Sequence, residues 1–221
     1  MRFSLKRYLI FLFFVYVLLF AWNFISRKYG RSTFLETCNF PKKYQDELHI
    51  FTNEVHKILK VLNVTHFLCY GSLWGEIRFS RVLPWEDKSV MCILNEEILT
   101  KDELSIIRIF KNNGFYISYQ SLEGQYVVTK LNSDKKMRVL LVLFELDKVV
   151  EMYRRIGWKR RFLPPDCSLE SLDCFPPRLI IPPLPIKEFG GSLIPAPREG
   201  IEMQKYHYKN NWWVEVPIKN C

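Results

Sequence analysis

Phe67-Leu68-Cys69-Tyr70-Gly71-Ser72-Leu73-Trp74-Gly75-Glu76-Ile77-Arg78, continued through Pro84-Trp85-Glu86-Asp87-Lys88-Ser89-Val90, is the stretch that decides the fold. It reads as a buried strand, a sharp Gly-Ser turn, a short helix, a loop, and a second strand opened by two carboxylates. A Gly-Ser turn after an apolar strand brings backbone N–H groups and a hydroxyl close to an anion. Carboxylates at the mouth of the next strand would hold a divalent cation against that anion. Such a layout suits the transfer of a phosphate-linked group.

Upstream, Leu48, Phe51, Val55, Ile58, Leu59 and Leu62 recur at three- and four-residue steps, which predicts an amphipathic helix from Lys43 to Leu62. His66 to Tyr70 is the first strand, Phe79 to Pro84 a loop, and Ser89 to Leu94 the second strand. Thr100 and Glu103 form a capping-box pattern for a helix through about Asn112, stopped by Gly114. Phe115 to Gln120 and Gln125 to Leu131 read as a hairpin around Glu123-Gly124. Arg138 to Leu146 is the most apolar strand and belongs in the middle of the sheet. Val149 to Ile156 is expected as a helix, and so is Glu199 to Tyr208. Most of the twelve prolines fall between Pro164 and Pro197, which excludes long regular elements there.

The formal net charge of +9 is unevenly placed. Arg2, Lys6, Arg7, Arg27, Lys28 and Arg31 precede Ser32 in a region without any acid. Everything after Arg31 holds 26 basic against 23 acidic residues. The surplus flanks an apolar segment and does not coat a domain, which argues against a nucleic-acid partner. That segment, Tyr8 to Ile25, has Asn23 as its one strongly polar member and is long enough to span a bilayer. Phe24-Ile25-Ser26-Arg27 is no small-x-small cleavage site, which disfavours a removed signal peptide. Basic residues on both sides leave the orientation open. Of the six cysteines, Cys167 and Cys174 are the most plausible local disulfide if the domain is lumenal. Asn63-Val64-Thr65 is an N-glycosylation sequon. His49, His56, His66 and His207 are scattered and read as structural.

Gly71-Ser72-Leu73-Trp74-Gly75-Glu76-Ile77-Arg78 with Val82-Leu83-Pro84-Trp85-Glu86-Asp87 resembles the signature of the LicD and fukutin group. Members carry a Gly-Thr-Leu-Leu-Gly-type turn, an Arg, then Ile-Pro-Trp-Asp-x-Asp-x-Asp. Phe189-Gly190-Gly191, Ile194-Pro195 and the Tyr208-to-Trp212 spacing with Pro217 are similar to the family's tail. The resemblance implies an α/β (α+β) fold with a nucleotidyltransferase-like mixed sheet and flanking helices. It implies transfer of phosphocholine or a sugar- or polyol-phosphate from a nucleotide-linked, such as CDP-linked, donor to a glycan or glycoprotein. Animal members resembling fukutin are type II proteins of the Golgi or ER membrane. The expected organisation is therefore a cytoplasmic tail (1–7), a transmembrane helix (8–25), a stem (26–42) and a lumenal domain (43–221). Carried over by position, Gly71, Ser72, Arg78 and Trp85 would bind the donor, and Glu86 and Asp87 would be the catalytic carboxylates.

The family's chemistry needs Mg²⁺ or Mn²⁺ and no organic cofactor. Residues two apart on a strand share a face, so Asp-x-Asp aims two carboxylates at one ion. Here the face of Glu86 continues with Lys88 and Val90, and the other face holds Asp87, Ser89 and Met91. A third carboxylate is expected from an Asp-Ile-Phe-Pro-Leu-like run. Val142-Leu143-Phe144-Glu145-Leu146 is the best match, and it puts Val142 in the Asp position. Glu145 could serve only if the register is off by one or three. Glu86 thus remains as a weakened metal ligand, and the Lys88 ammonium is a possible substitute for the cation. Three readings follow: a phosphotransferase, a degenerate member that binds a glycan, a nucleotide or an active paralogue, and a purely structural membrane protein.

Overall fold

The computed structural model describes residues 13–20, 39–131, 137–161, 167, 172–210 and 212. Two units are distinguished, Met1–Asn39 with Lys219–Cys221, and Phe40–Ile218. In the first, residues 13–20 are helical. The rest of the expected span 8–25, and the expected stem up to residue 38, lie outside the described residues. Among the described residues no helix is long and apolar enough to cross a membrane.

In the second unit, α1 (Lys42–Val61) buries Leu48, Phe51, Val55, Ile58 and Leu59. These are the positions whose spacing predicts the helix. Each such side chain contributes about 1.5–3 kcal/mol relative to exposure. Phe51 stacks on Phe115 of the sheet with ring centroids 5.1 Å apart. The chain continues through β1 (His66–Leu68), α2 (Tyr70–Phe79) and β2 (Lys88–Leu94), then the short α3 (Asn95–Leu99) and α4 (Glu103–Asn112). The hairpin β3 (Phe115–Gln120) and β4 (Gln125–Lys130) leads to β5 (Arg138–Asp147) and β6 (Met152–Arg155). A short α5 (Trp158–Arg161), the hairpin β7 (Ile186–Phe189) and β8 (Ser192–Pro195), and α6 (Gly200–His207) complete it.

The main sheet runs β1-β2-β5-β4-β3, with β6 also on β5. Strands β2 and β5 are parallel, with Lys88 opposite Arg138, Val90 opposite Leu140 and Cys92 opposite Val142. The other pairs are antiparallel. As its composition predicts, β5 is central, and Val139 and Leu141 to Phe144 are all buried. Strand β1 lies beside β2, with Phe67 opposite Cys92. A disulfide joins Cys69 to Cys92, both wholly buried. Closing a loop of 23 residues, it is worth about 3 kcal/mol in the chain-entropy account. Cys167 and Cys174 are also bridged.

Two local expectations are corrected. Val149 to Ile156 is not a helix. The Asp147 carboxylate accepts the N–H groups of Val149 and Val150, which turns the chain, and Met152–Arg155 pairs back on β5 as a strand. The α4 cap is Asp102, whose Oδ2 accepts from the Ser105 N–H at 2.9 Å, whereas Thr100 donates to the Glu97 carbonyl. Among its described residues the proline-rich region holds short elements, including a 3-10 turn, Pro177–Ile180, and the two four-residue strands β7 and β8. The turn of that hairpin explains a glycine. Gly190 has φ 59°, and a Cβ there would fall 2.1 Å from Cγ of His49. The buried His49 in turn accepts the Val82 N–H at 2.9 Å.

Candidate functional site

Helix α2 starts immediately after β1, so Gly71 and Ser72 stand in its first turn at the edge of the sheet. The Ser72 hydroxyl does not face outward to an anion. Its Oγ accepts the Val90 N–H at 2.7 Å and lies 3.2 Å from Ser89 Oγ, fastening α2 to β2. Gly71 lies under Glu86. A Cβ on Gly71 would come within 3.1 Å of the Glu86 Oε1 atom, so turn and carboxylate are brought together as the motif requires. Gly75 is a packing glycine, since a Cβ would collide with the Arg81 carbonyl at 2.2 Å. Arg78 lies over the Trp74 ring at 4.7 Å. Trp85 is half-buried, and its Nε1 has no hydrogen-bond partner among the described residues.

Lys88 sits between the two carboxylates. Its Nζ is 3.8 Å from Glu86 Oε2 and 3.9 Å from Asp87 Oδ1. Arg138, opposite Lys88 in the β2–β5 register, donates to Asp87 Oδ2 at 2.7 Å. The Tyr44 hydroxyl donates to the Asp87 carbonyl at 2.8 Å. Burial pushes the Glu86 carboxyl above its usual range; Lys88 pulls it back and Asp87 adds to the rise.

A Mg²⁺ or Mn²⁺ ion does not fit this donor set. Such an ion needs several oxygens on one side. Glu86 and Asp87 are sequence neighbours already neutralised by Lys88 and Arg138. Val90 is buried hydrocarbon, and so is Val142, which pairs with Cys92 two residues further along β2 while Leu140 stands opposite Val90. Glu145 is no replacement. It stands three residues beyond Val142, on the opposite face of β5, and its Oε1 is 3.0 Å from the Arg154 guanidinium. Among the described residues no group of three or more His, Cys, Asp or Glu could hold a metal ion.

Next to this mouth is a second cluster that sequence reasoning missed. Tyr70, directly before Gly71, has a left-handed backbone (φ 50°). Such a conformation costs a non-glycine residue about 1–3 kcal/mol and persists only when its surroundings hold it. Its hydroxyl donates to Asp173 Oδ2 at 2.7 Å, and its carbonyl accepts from Gln204 Nε2 at 2.8 Å. Its ring stacks on His207 with centroids 4.1 Å apart, and the Arg155 guanidinium lies 5.7 Å from the ring centre. Arg155 Nη1 is 3.4 Å from Asp173 Oδ2. Burial raises the Asp173 carboxyl, against the pull of Tyr70 and Arg155. Burial, with Arg155 adding, holds His207 down to about 3, so it is neutral at ordinary pH. Tyr208 is held above its usual range by burial, with Glu86 and Asp173 adding to the rise, so it links the two clusters. Gln204 and His207 lie three apart on α6, but Tyr70, Arg155 and Asp173 come from separate parts of the chain and share no periodic or spacing signal with them. The one local hint is Tyr70 itself, preceding the Gly-Ser turn.

No curated protein matches the chain. Residues 63–199 match the family described as LicD/FKTN/FKRP, nucleotidyltransferase domain. The matched region contains β1, the Gly71-Ser72 turn, the Glu86–Lys88 mouth, the whole central sheet and the β7–β8 hairpin. Covering more than half of the chain and every element that builds the mouth, this match places the protein in the LicD/FKTN/FKRP nucleotidyltransferase-domain family.

Proposed function

We propose that this chain is a fukutin/LicD-like protein of the secretory pathway. It serves the modification of glycans by sugar- or polyol-phosphate, as a member whose metal site is lost. It binds a glycan acceptor, a CDP-linked donor or an active paralogue without turning a donor over itself. The observation that carries this reading is the Lys88 ammonium, between Glu86 and Asp87 where a divalent ion would stand. An ammonium neutralises charge but cannot polarise a phosphate as a divalent cation does. Two cations at such short range repel strongly, so Lys88 and a metal exclude one another.

The placement we propose is a single-pass type II protein of the Golgi or ER membrane with a lumenal domain. The apolar segment 8–25 with its basic flanks supports it. So do the Cys69–Cys92 and Cys167–Cys174 bridges, which belong to an oxidising compartment.

Calorimetric titration of Mn²⁺ into the full chain, with and without CDP, tests the reading. The wild type is expected to take up no stoichiometric Mn²⁺. Lys88→Asp with Val90→Asp is expected to gain divalent affinity without gaining turnover while Val142 remains. Tight, stoichiometric Mn²⁺ binding by the wild type would return the protein to the catalytic class.

A further inference from the structure

Helix α1 ends at Val61, and Asn63 takes a left-handed backbone (φ 52°) with its N–H bonded to the Lys60 carbonyl at 3.1 Å. Asn tolerates that conformation, which accounts for the residue type. It does not account for where the side chain lies. The Asn63 side chain is exposed, makes no hydrogen bond among the described residues, and forms part of the wall of a groove of about 420 Å³. Pro182, Pro183, Leu184, Ile186 and Pro195 line the same groove, together with the polar Lys60, Thr65 and His66. Ile186 is 54% exposed and both Pro182 and Pro183 face solvent, so the groove presents hydrocarbon that nothing in the described chain covers. A pyranose offers a matching C–H face, with its hydroxyls directed outward to water. An exposed amide on the wall of a groove that holds the apolar Pro182–Ile186 stretch, at the first position of Asn63-Val64-Thr65, points to a covalently attached sugar.

We propose that Asn63 carries an N-linked glycan and that its first sugar residues lie in this groove, covering Pro182 to Ile186. The inference rests on the lumenal placement proposed above. In the modification, Asn63 Nδ2 forms a bond to C1 of a polyprenyl-diphosphate-linked oligosaccharide. The bond from C1 to the diphosphate oxygen breaks, the diphosphate leaves with the electron pair, and the amide proton passes to a base of the transferase. The folded chain is a poor acceptor. The Thr65 hydroxyl donates to Glu97 Oε1 at 2.8 Å, its N–H binds the same carboxylate, and Val64 is buried. Transfer therefore precedes the docking of α3 against this turn, and the sugar is in place when the Pro182–Ile186 segment closes the groove.

The test uses the full chain expressed in cells that N-glycosylate, with three readouts. These are the mass of the Asn63 peptide, the state of Cys69–Cys92, and the melting temperature after trimming to a single N-acetylglucosamine. We expect a bridged chain with modified Asn63. The trimmed protein should melt about 2–4 °C above an Asn63→Asp chain, the shift that ~1 kcal/mol makes in a domain of this size. In the background of Leu184→Asp with Ile186→Asp that difference should vanish. A bridged chain with unmodified Asn63 would overturn the inference and leave the secretory reading standing. Reduced cysteines with unmodified Asn63 would overturn both. A glycosylated chain whose melting difference survives the groove substitutions would overturn the seating of the sugar.

Discussion

The two polar clusters beside Tyr70 and Gly71 are built from similar groups and follow different rules. At the mouth, Glu86, Asp87, Lys88 and Arg138 are partly exposed, and the Lys88 contacts are long, at 3.8 and 3.9 Å. Around α6, Tyr70, Arg155, Asp173 and the helix's own Gln204 and His207 are withdrawn from water, and each holds a specific neighbour. Solvent screens the first set, so its pairs are worth roughly 0–1 kcal/mol each. The second set has already lost its hydration, so a removed partner is not replaced by water. The comparison teaches where a fold of this kind can exchange chemistry cheaply. A lysine can enter the mouth with little cost to folding, whereas the cluster that holds the turn before it cannot be altered one residue at a time.

The largest expected effect is therefore at Asp173. Asp173→Asn keeps the shape and the left-handed backbone but leaves the Arg155 charge without its counter-ion. It should cost about 3 kcal/mol in urea unfolding, the range for breaking a buried pair. Arg155→Met in the same chain should recover part of the loss, and additive losses would show that the two residues are not coupled.

A smaller effect should follow acidification. Burial holds His207 at about 3 and His49 at about 4, against an ordinary value near 6.5. The unfolded chain accepts protons that the folded chain refuses. The stabilisation is thus complete above about pH 6.5 and is lost as pH falls toward the folded values, by ~2 kcal/mol for each histidine at pH 5. Urea midpoints measured from pH 7 to pH 5 should fall accordingly. Burial holds His56 and His66 down as well, so His207→Phe, which keeps a ring against Tyr70, should remove only its own share of that dependence. An unchanged slope would mean that His207 takes up its proton in the folded protein as freely as in the unfolded one.

The smallest effect is at the mouth. Lys88→Met should alter unfolding stability by less than ~1 kcal/mol, because Lys88 is 35% exposed and its partners are screened. Equal costs for Lys88→Met and Asp173→Asn would erase the distinction between the clusters.

Much of the fold is legible in the residues. The steps from Leu48 to Leu59 give α1, the apolar run of β5 gives the sheet centre, and Gly71-Ser72 followed by Glu86-Asp87 gives the mouth. Periodicity failed at Val149 to Ile156 because the Asp147 side chain captures two backbone N–H groups and starts a turn that no apolar count can see. It failed to give Ser72 its role because a hydroxyl near an anion site and one fastening two elements look the same in a sequence. That Lys88, Val90 and Val142 offer no carboxylate can be read directly, since residue type alone decides whether an oxygen ligand exists. Three outcomes belong to the tertiary structure alone. These are the pairing of Cys69 with Cys92, the seat of Lys88 between two carboxylates, and the meeting of Tyr70, Arg155, Asp173, Gln204 and His207. Local sequence sets backbone preference and which face is apolar. Contacts across a hundred residues depend on how whole elements dock, and only the packed fold brings those side chains within hydrogen-bond range.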